Sequence, residues 1–133
     1  MKNINLNKEL KRKEYSLIRN SNSSSVHEKI KSNVKLTLEK HLTKNNYKEK
    51  YIGIYWPLKG EVDIRFIKEI YNQKVALPLS CKNKVMNYHH WSNNQLSLDF
   101  NKIPSPKGEN TISPKDISIL FVPALAIDQE GYR

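Results

Sequence analysis

The sequence predicts an α/β domain with a core of parallel strands and helices on both faces of the sheet. Two apolar runs lead to this fold class. Residues 51–56 (YIGIYW) form a continuous run of strand length, as in a strand buried on both faces, and residues 74–80 (KVALPLS) form a second. An amphipathic stretch lies between them, and strand, helix and strand within about 30 residues make a βαβ unit with parallel strands. We expect residues 1–133 to form a single domain.

Two helices are predicted before the first strand. The first covers about residues 5–19, along which leucines recur at helical spacing. The second begins at the sequence SVHE, where Ser25 as N-cap and Glu28 three residues later have the spacing of a capping box. Apolar residues then recur at every fourth position and give the helix an apolar face: Val26, Ile30, Val34, Leu38 and Leu42. Residues 43–50 (TKNNYKEK) predict a polar turn.

The predicted elements that follow the first strand are shorter. Asp63 is placed to cap a short helix with isoleucines on one face. Residues 84–91 and 95–100 alternate between apolar and polar side chains, which predicts a hairpin or a meander. Residues 103–114 (IPSPKGENTISP) indicate a proline-rich loop. Residues 116–127 (DISILFVPALAI) predict the last and most buried strand.

The charge of the chain is large and uneven. The net charge is +10; residues 1–50 hold 13 Lys and Arg against five Glu, and residues 51–133 hold ten against eight Asp and Glu. A basic half favours an anionic partner such as nucleic acid, a phosphate-bearing ligand or a polyglutamate-like substrate. Genome composition is another explanation for the many lysines, because Lys, Asn and Ile, in which the chain is rich, all have A/T-rich codons. We favour this explanation over nucleic-acid binding.

Several functional classes lack their sequence patterns. The four glycines build neither a GxxxxGK[ST] phosphate loop nor a GxGxxG fingerprint, and the absence of HExxH and CxxC makes a zinc site unexpected. No apolar run approaches the roughly 18 to 20 residues that cross a bilayer. The single cysteine, Cys81, has no partner for an intramolecular disulfide, so a cytoplasmic protein is expected.

The first helix carries a stripe of cations. Lys8 and Arg12 are four residues apart and share one helix face, and Arg19 lies two turns further on, near the same stripe. Such a stripe suits a phosphate-bearing ligand. The alternative is an ordinary solvated helix face, which the spacing alone favours.

Further candidates follow the ends of the predicted parallel strands, where ligands bind in open α/β sheets. Glu61 lies in the loop after the first strand; its carboxylate suits the ring nitrogens or amino group of a ligand, although it also suits a helix N-terminus. Tyr55 and Trp56 end that strand and are placed to wall a pocket for a flat ring. Asp128 and Arg133 follow the last strand on the same side.

Three blocks together resemble the 5-formyltetrahydrofolate cyclo-ligase family, also called 5,10-methenyltetrahydrofolate synthetase: KELKR with a later arginine, IYWPLKGEVDIRFI…VALP, and DISILFVPALAIDQEGYR. Lys8, Arg12 and Arg19 match the spacing of the family's N-terminal pattern. The family's EVDT is EVDI here, and residues 122–133 match its most specific block. The Glu-Pro pair common before that block is replaced by Ser105 and proline, which puts the role of that glutamate in doubt.

The resemblance implies a NagB/RpiA/CoA-transferase-like fold and a reaction of one-carbon metabolism. In the family, ATP and Mg²⁺ drive the cyclisation of 5-formyltetrahydrofolate to 5,10-methenyltetrahydrofolate, with release of ADP and phosphate. The resemblance implies that Lys8, Arg12 and Arg133 bind ATP, and that Arg12, Trp56 and Glu61 bind the folate substrate. It assigns no catalytic residue. It further implies a monomer in the cytoplasm with a small-molecule substrate and without nucleic-acid or membrane partners.

The resemblance also suggests that more chain belongs to the site. In the family, the arginine at position 133 is followed by a glycine-rich nucleotide loop and an aspartate that helps to bind Mg²⁺. We therefore expect residues 1–133 to be the truncated N-terminal part of a longer enzyme. Its C-terminal part and its metal ligands are expected beyond Arg133, and residues 1–133 alone are expected to be inactive. The alternatives are a basic nucleic-acid-binding module that uses the two helices, and a non-catalytic fragment or paralogue.

Overall fold

A computed structural model describes residues 2–44, 49–71 and 74–133 and confirms the α/β class. The helices are α1 (Lys2–Asn20), α2 (Ser24–Lys44) and α3 (Phe66–Ile70). The strands are β1 (Tyr51–Gly53), β2 (Val75–Ser80), β3 (Met86–His90), β4 (Ser97–Leu98), β5 (Pro104–Ser105), β6 (Thr111–Ile112) and β7 (Ile117–Leu120). Most of the predicted polar turn, residues 45–48, lies outside the described residues.

Five strands form one mixed sheet with a parallel centre. Their order is β6-β3-β2-β1-β7, and β1 pairs in parallel with both β2 and β7. On the other side β3 runs antiparallel to β2 and β6. The predicted βαβ unit is therefore confirmed, with α3 in the connection between β1 and β2.

The core lies between one face of this sheet and helices α2 and α3. Ile52 of β1 is the register partner of Val75 of β2, so both side chains point to the same face. Leu38 of α2 and Ile67 of α3 join them in a single buried cluster. On the opposite face, a Cβ atom at Gly53 would meet side chains of β3 and β7.

The helices before the first strand are confirmed, but the predicted capping box is wrong. Helix α2 begins at Ser24, so Ser25 lies inside the helix instead of capping it. The Ser25 hydroxyl is 2.8 Å from that of Ser23. Glu28 forms an ion pair of 3.2 Å with Lys31 on the next turn instead of reaching back to the helix start. Three serines in succession, residues 23–25, offer the same capping chemistry, so the sequence pattern did not distinguish between them.

The predicted hairpin or meander of residues 84–91 and 95–100 is wrong. The first segment forms β3, which pairs with β2 and β6, whereas the second forms β4, which pairs with β5 in a separate small sheet. Strands β5 and β6 lie within residues 103–114, which were expected to be a loop. Strands of two residues have no alternation to read, so their partners could not be found from the pattern.

The last strand is shorter and more exposed than expected. Strand β7 ends at Leu120, which is 45% exposed, and β7 stands at one end of the strand order among the described residues. Its last ladder contact is the N–H of Phe121, which donates to the carbonyl of Gly53 at 2.9 Å. Two residues later Pro123 has no N–H to donate, which explains why the apolar run does not continue as a strand.

Candidate functional site

The loops that follow β1 and β7 meet at one edge of the sheet. Because β1 and β7 are parallel neighbours, their carboxyl ends lie side by side. The loop after β1 carries Glu61, and the segment after β7 runs to Arg133. Helix α1 lies against the first of these loops through Arg19. This is the edge at which the sequence predicted a ligand site.

A tight turn presents Glu61. The N–H of Glu61 donates to the carbonyl of Leu58 at 3.0 Å, which closes a four-residue turn. Gly60 occupies its third position with a φ of 84°, the left-handed conformation that a type II turn requires there. A Cβ atom at Gly60 would lie 2.0 Å from Oδ1 of Asn20, so glycine is also needed for the close approach of α1.

The Glu61 carboxylate is largely buried and held on both oxygens. Its side chain is 10% exposed. Oε2 accepts a hydrogen bond of 2.8 Å from the N–H of Leu58. Oε1 forms an ion pair of 3.6 Å with Nη1 of Arg19. Burial of a carboxylate is costly unless it is paired, and this pairing allows Glu61 to remain at the edge of a cavity as a hydrogen-bond acceptor.

The predicted cationic residues line a cavity of about 800 Å³, which we call the cationic cavity. The three residues expected to bind a nucleotide, Lys8, Arg12 and Arg133, all line it, and so does Glu61. The remaining lining comes from α1, the turn before Glu61 and the segment after β7: Lys11, Tyr15, Arg19, Leu58, Pro123, Ala124, Leu125 and Ala126. Five cationic side chains face one carboxylate, which makes the cavity suited to a polyanion.

A second cavity of about 380 Å³ adjoins the first, and we call it the apolar cavity. Glu61 and Arg19 line both cavities, so they stand at the junction. The rest of its wall is mostly apolar and comes from α1, α2 and the loops after β1 and β7: Tyr15, Ile18, Asn22, His27, Ile30, Val34, Tyr55, Gly60, Val62, Ile64, residues 121–125 and Ile127. A mostly apolar cavity with a few polar groups, here including the Glu61 carboxylate, is the usual form of a small-molecule site.

Tyr55 is a fixed wall of the apolar cavity. Its hydroxyl donates a hydrogen bond of 2.7 Å to the carbonyl of Val62. Burial, with a smaller contribution from the carboxylates of Glu61 and Asp63, raises the pKa of Tyr55 to about 12. The phenol is therefore neutral at physiological pH, and its hydrogen bond orients the ring.

The turn of residues 128–132 places Arg133. The carboxylate of Asp128 accepts hydrogen bonds from the N–H groups of Glu130 and Tyr132 at 3.0 and 2.8 Å. Nη1 of Arg133 then donates to the carbonyl of Pro123 at 3.3 Å. Asp128, a candidate for direct ligand contact in the sequence, thus serves the turn through its side chain.

Trp56 lies in a different groove from the other predicted site residues. This third groove, of about 460 Å³, also contains Trp91, Asp63 and Arg65. The Arg65 guanidinium stacks over Trp56 at 4.4 Å from the ring centroid, and the Trp91 ring meets Trp56 edge-on at 6.2 Å. Arg65 also forks onto Asp63, and these hydrogen bonds lower the pKa of that carboxyl. Trp56 lines neither the cationic nor the apolar cavity, so the structure does not bring it together with Glu61.

Sequence reasoning missed Lys11, Tyr15 and the segment 123–126 as parts of the site. Lys11 and Tyr15 follow Lys8 by three and seven residues, so helical spacing alone places them on its face. The segment 123–126 gave no such signal, because its apolar sequence was attributed to a strand.

The described residues offer no evident metal site and no membrane span. Among them there is no group of three or more His, Cys, Asp or Glu side chains arranged to hold a metal ion. In the same part of the chain, every helix is too short or too polar to cross a membrane.

Comparison with protein-family models and with curated proteins gave no match. Comparison with solved structures gave the NMR structure of 5,10-methenyltetrahydrofolate synthetase from Aquifex aeolicus, with 29% sequence identity and a TM-score of 0.70 over 92% of this chain. The resemblance to the cyclo-ligase family is confirmed. The chain spans 63% of the length of that synthetase. The α/β fold with a mostly parallel centre agrees with this likeness.

Proposed function

We propose that the protein acts in the ATP- and Mg²⁺-dependent cyclisation of 5-formyltetrahydrofolate to 5,10-methenyltetrahydrofolate, with release of ADP and phosphate. The observation that carries this proposal is the position of Glu61 at the junction of a cationic and an apolar cavity. The reaction transfers a phosphoryl group from a polyphosphate to a ligand with a flat ring, and the two cavities match these two ligands. The likeness to the Aquifex aeolicus synthetase supports the same activity.

The cationic cavity is assigned to ATP. Lys8, Arg12 and Arg133 hold its phosphates in this proposal, because all three line the cavity and their charge opposes that of the phosphates. Phosphoryl transfer depends mainly on positioning and on neutralisation of charge, and clustered cations provide both. ATP supplies a phosphoryl group that turns the formyl oxygen into a good leaving group.

The apolar cavity is assigned to the pterin ring. Glu61 accepts hydrogen bonds from the ring N–H and amino groups, and Tyr55 supports the ring from the wall. Arg12 lines the neighbouring cationic cavity, and in this proposal it binds both the phosphates and the adjoining part of the folate. Trp56 lines a separate groove, so its predicted contact with the substrate depends on a direct test. An unchanged KM for folate in Trp56→Ala would remove it from the site.

The proposal also includes Mg²⁺ and a cytoplasmic location. The described residues provide no cluster of metal ligands, so we assign no residue of this chain to Mg²⁺. Residues 1–133 match 63% of the synthetase chain, and we expect them to give no turnover by themselves. A cytoplasmic location is expected because the single cysteine, Cys81, is free.

The test is an assay of the full-length protein with 5-formyltetrahydrofolate, with and without Mg-ATP. Turnover is expected only with Mg-ATP, and Lys8→Ala and Glu61→Ala should each lower kcat/KM by at least about tenfold. Lys13→Ala is the matched control, because Lys13 is exposed on the same helix and lines neither cavity. No turnover in the full-length protein would contradict the function, whereas full activity in both variants would contradict the residue assignments.

A further inference from the structure

Arg19 contacts the Glu61 turn at more than one point. Besides the ion pair of 3.6 Å with Oε1 of Glu61, its Nη2 donates to the carbonyl of Lys59 at 3.3 Å. Its Nε is buried and has no hydrogen-bond partner among the described residues. The guanidinium therefore lies along the turn, with one nitrogen toward the carboxylate and one toward the backbone.

The close packing at Gly60 fixes this arrangement from the other side. A Cβ atom there would lie 3.2 Å from Nε of Arg19 and 2.0 Å from Oδ1 of Asn20. The last turn of α1 thus rests directly on the backbone that carries Glu61. Since α1 also carries Lys8 and Arg12, any change in this contact would alter the position of Glu61 relative to the cationic cavity.

We infer that Arg19 is a positioning residue, which holds the Glu61 carboxylate at the junction of the two cavities and so sets the affinity for the ring of the folate substrate. This inference rests on the proposed function. The physical reason is that a carboxylate as buried as Glu61 turns toward solvent when it loses its cation. The bond between Leu58 N–H and Oε2 is then lost, and the acceptor atoms no longer face a ring in the cavity.

A competing role is direct contact between Arg19 and phosphate, because Arg19 also lines the cationic cavity. The two roles differ in the substrate that they affect. A positioning residue changes the KM for the folate and leaves the KM for ATP unchanged, whereas a phosphate ligand changes the KM for ATP. A positioning role also requires the Glu61 carboxylate, whereas direct contact with phosphate does not.

The first experiment needs no substrate. Amide hydrogen exchange at Leu58 reports its bond to Glu61 Oε2. Arg19→Gln should raise the exchange rate about tenfold, and Lys13→Gln, which removes the same charge from an exposed site on the same helix, should leave it unchanged. Unchanged exchange in Arg19→Gln would overturn the inference, whether or not the protein acts on folate.

The second experiment uses steady-state kinetics of the full-length protein. Arg19→Gln should raise the KM for 5-formyltetrahydrofolate about tenfold with the KM for ATP unchanged, and Arg19→Lys should restore part of the loss. In a Glu61→Gln background the same change should have little further effect, because the carboxylate that it positions is gone. A selective rise in the KM for ATP would overturn the inference in favour of phosphate binding.

A variant that keeps the charges of both Arg19 and Glu61 provides a second test in case Arg19→Gln does not fold. Gly60→Ala disturbs the contact from the loop side, through the clash with Asn20 and the strained φ. It should raise both the Leu58 exchange rate and the KM for the folate. If the wild-type protein does not turn over the folate, the proposed function fails, and the exchange measurements still decide whether Arg19 positions Glu61.

Discussion

At the scale of single residues, Tyr55 shows how burial and neighbouring carboxylates change the chemistry of one side chain. Its phenol is half-buried beside Glu61 and Asp63, and its pKa is raised to about 12. Both causes disfavour the phenolate: burial removes water from the charge, and the carboxylates repel it. The hydroxyl thus keeps its proton and its hydrogen bond to Val62 in the pH range in which an unfolded tyrosine has lost its proton.

The raised pKa of Tyr55 predicts a loss of stability at high pH. Between pH 10, where an unfolded tyrosine titrates, and about 12, the folded protein binds more protons than the unfolded chain, so the free energy of unfolding falls as the pH rises. Tyr55→Phe should flatten this part of the curve, as measured by urea unfolding from pH 9 to 12. In an ultraviolet titration of the seven tyrosines, it should also remove a step near pH 12.

The matched control for this experiment is Tyr132→Phe. Tyr132 is 69% exposed, so its removal should leave the high-pH step in place. Loss of that step in Tyr132→Phe, or its persistence in Tyr55→Phe, would show that burial of Tyr55 is not its cause.

The sequence predicted most of the candidate site at this scale, because helical spacing and strand order are enough to bring its residues to one edge. Lys8, Arg12, Glu61 and Arg133 do meet at the cationic cavity. Trp56 does not, although it adjoins Tyr55 in the chain. Its ring stacks with the Arg65 guanidinium in another groove, and a contact between two side chains of irregular segments has no signature in hydrophobic periodicity.

At the scale of elements, α2 is attached to the sheet through a narrow apolar face. Leu38 is 1% exposed and belongs to the buried cluster, with Val34 and Leu42 packed beside it. Val26 and Ile30, which continue the same stripe toward the start of the helix, are 39% and 38% exposed. The predicted apolar face of α2 is therefore confirmed, but only its C-terminal half packs against the core.

This packing predicts a large difference between two leucines of α2. Leu38→Ala should lower the free energy of unfolding by about 2 to 5 kcal/mol, since it leaves a cavity in the core. Leu36→Ala, two residues away and 54% exposed, should change it by less than about 0.5 kcal/mol. Equal losses in urea unfolding would contradict the packing of α2 through Leu38.

The elements that could be predicted are those with a repeating or continuous apolar pattern in the sequence. Helices α1 and α2 and the pair β1 and β2 have such patterns. The end of β7 could not be placed, because the apolar run of residues 117–127 continues into the lining of the cavities, where side chains are buried without a strand partner. Apolar composition reports burial, whereas the strand ends where hydrogen bonding to β1 ends.

At the scale of the whole molecule, the phosphate binding that we propose has two explanations in a chain with a net charge of +10. A general positive field attracts any polyanion, including nucleic acid, and weakens steeply with salt. A built site depends on the few cations that touch the ligand. The structure favours the second explanation, because five cations line one cavity on the side of the molecule where β1 and β7 end.

Two adjacent residues separate these explanations. Arg12→Glu and Lys13→Glu each lower the net charge from +10 to +8, but only Arg12 lines the cationic cavity. In the full-length protein, calorimetry should show ATP affinity falling by at least about tenfold in Arg12→Glu and by less than about threefold in Lys13→Glu. Equal losses in the two variants, together with oligonucleotide binding that falls steeply with salt, would instead support a general polyanion-binding surface, because a diffuse field does not distinguish neighbouring charges.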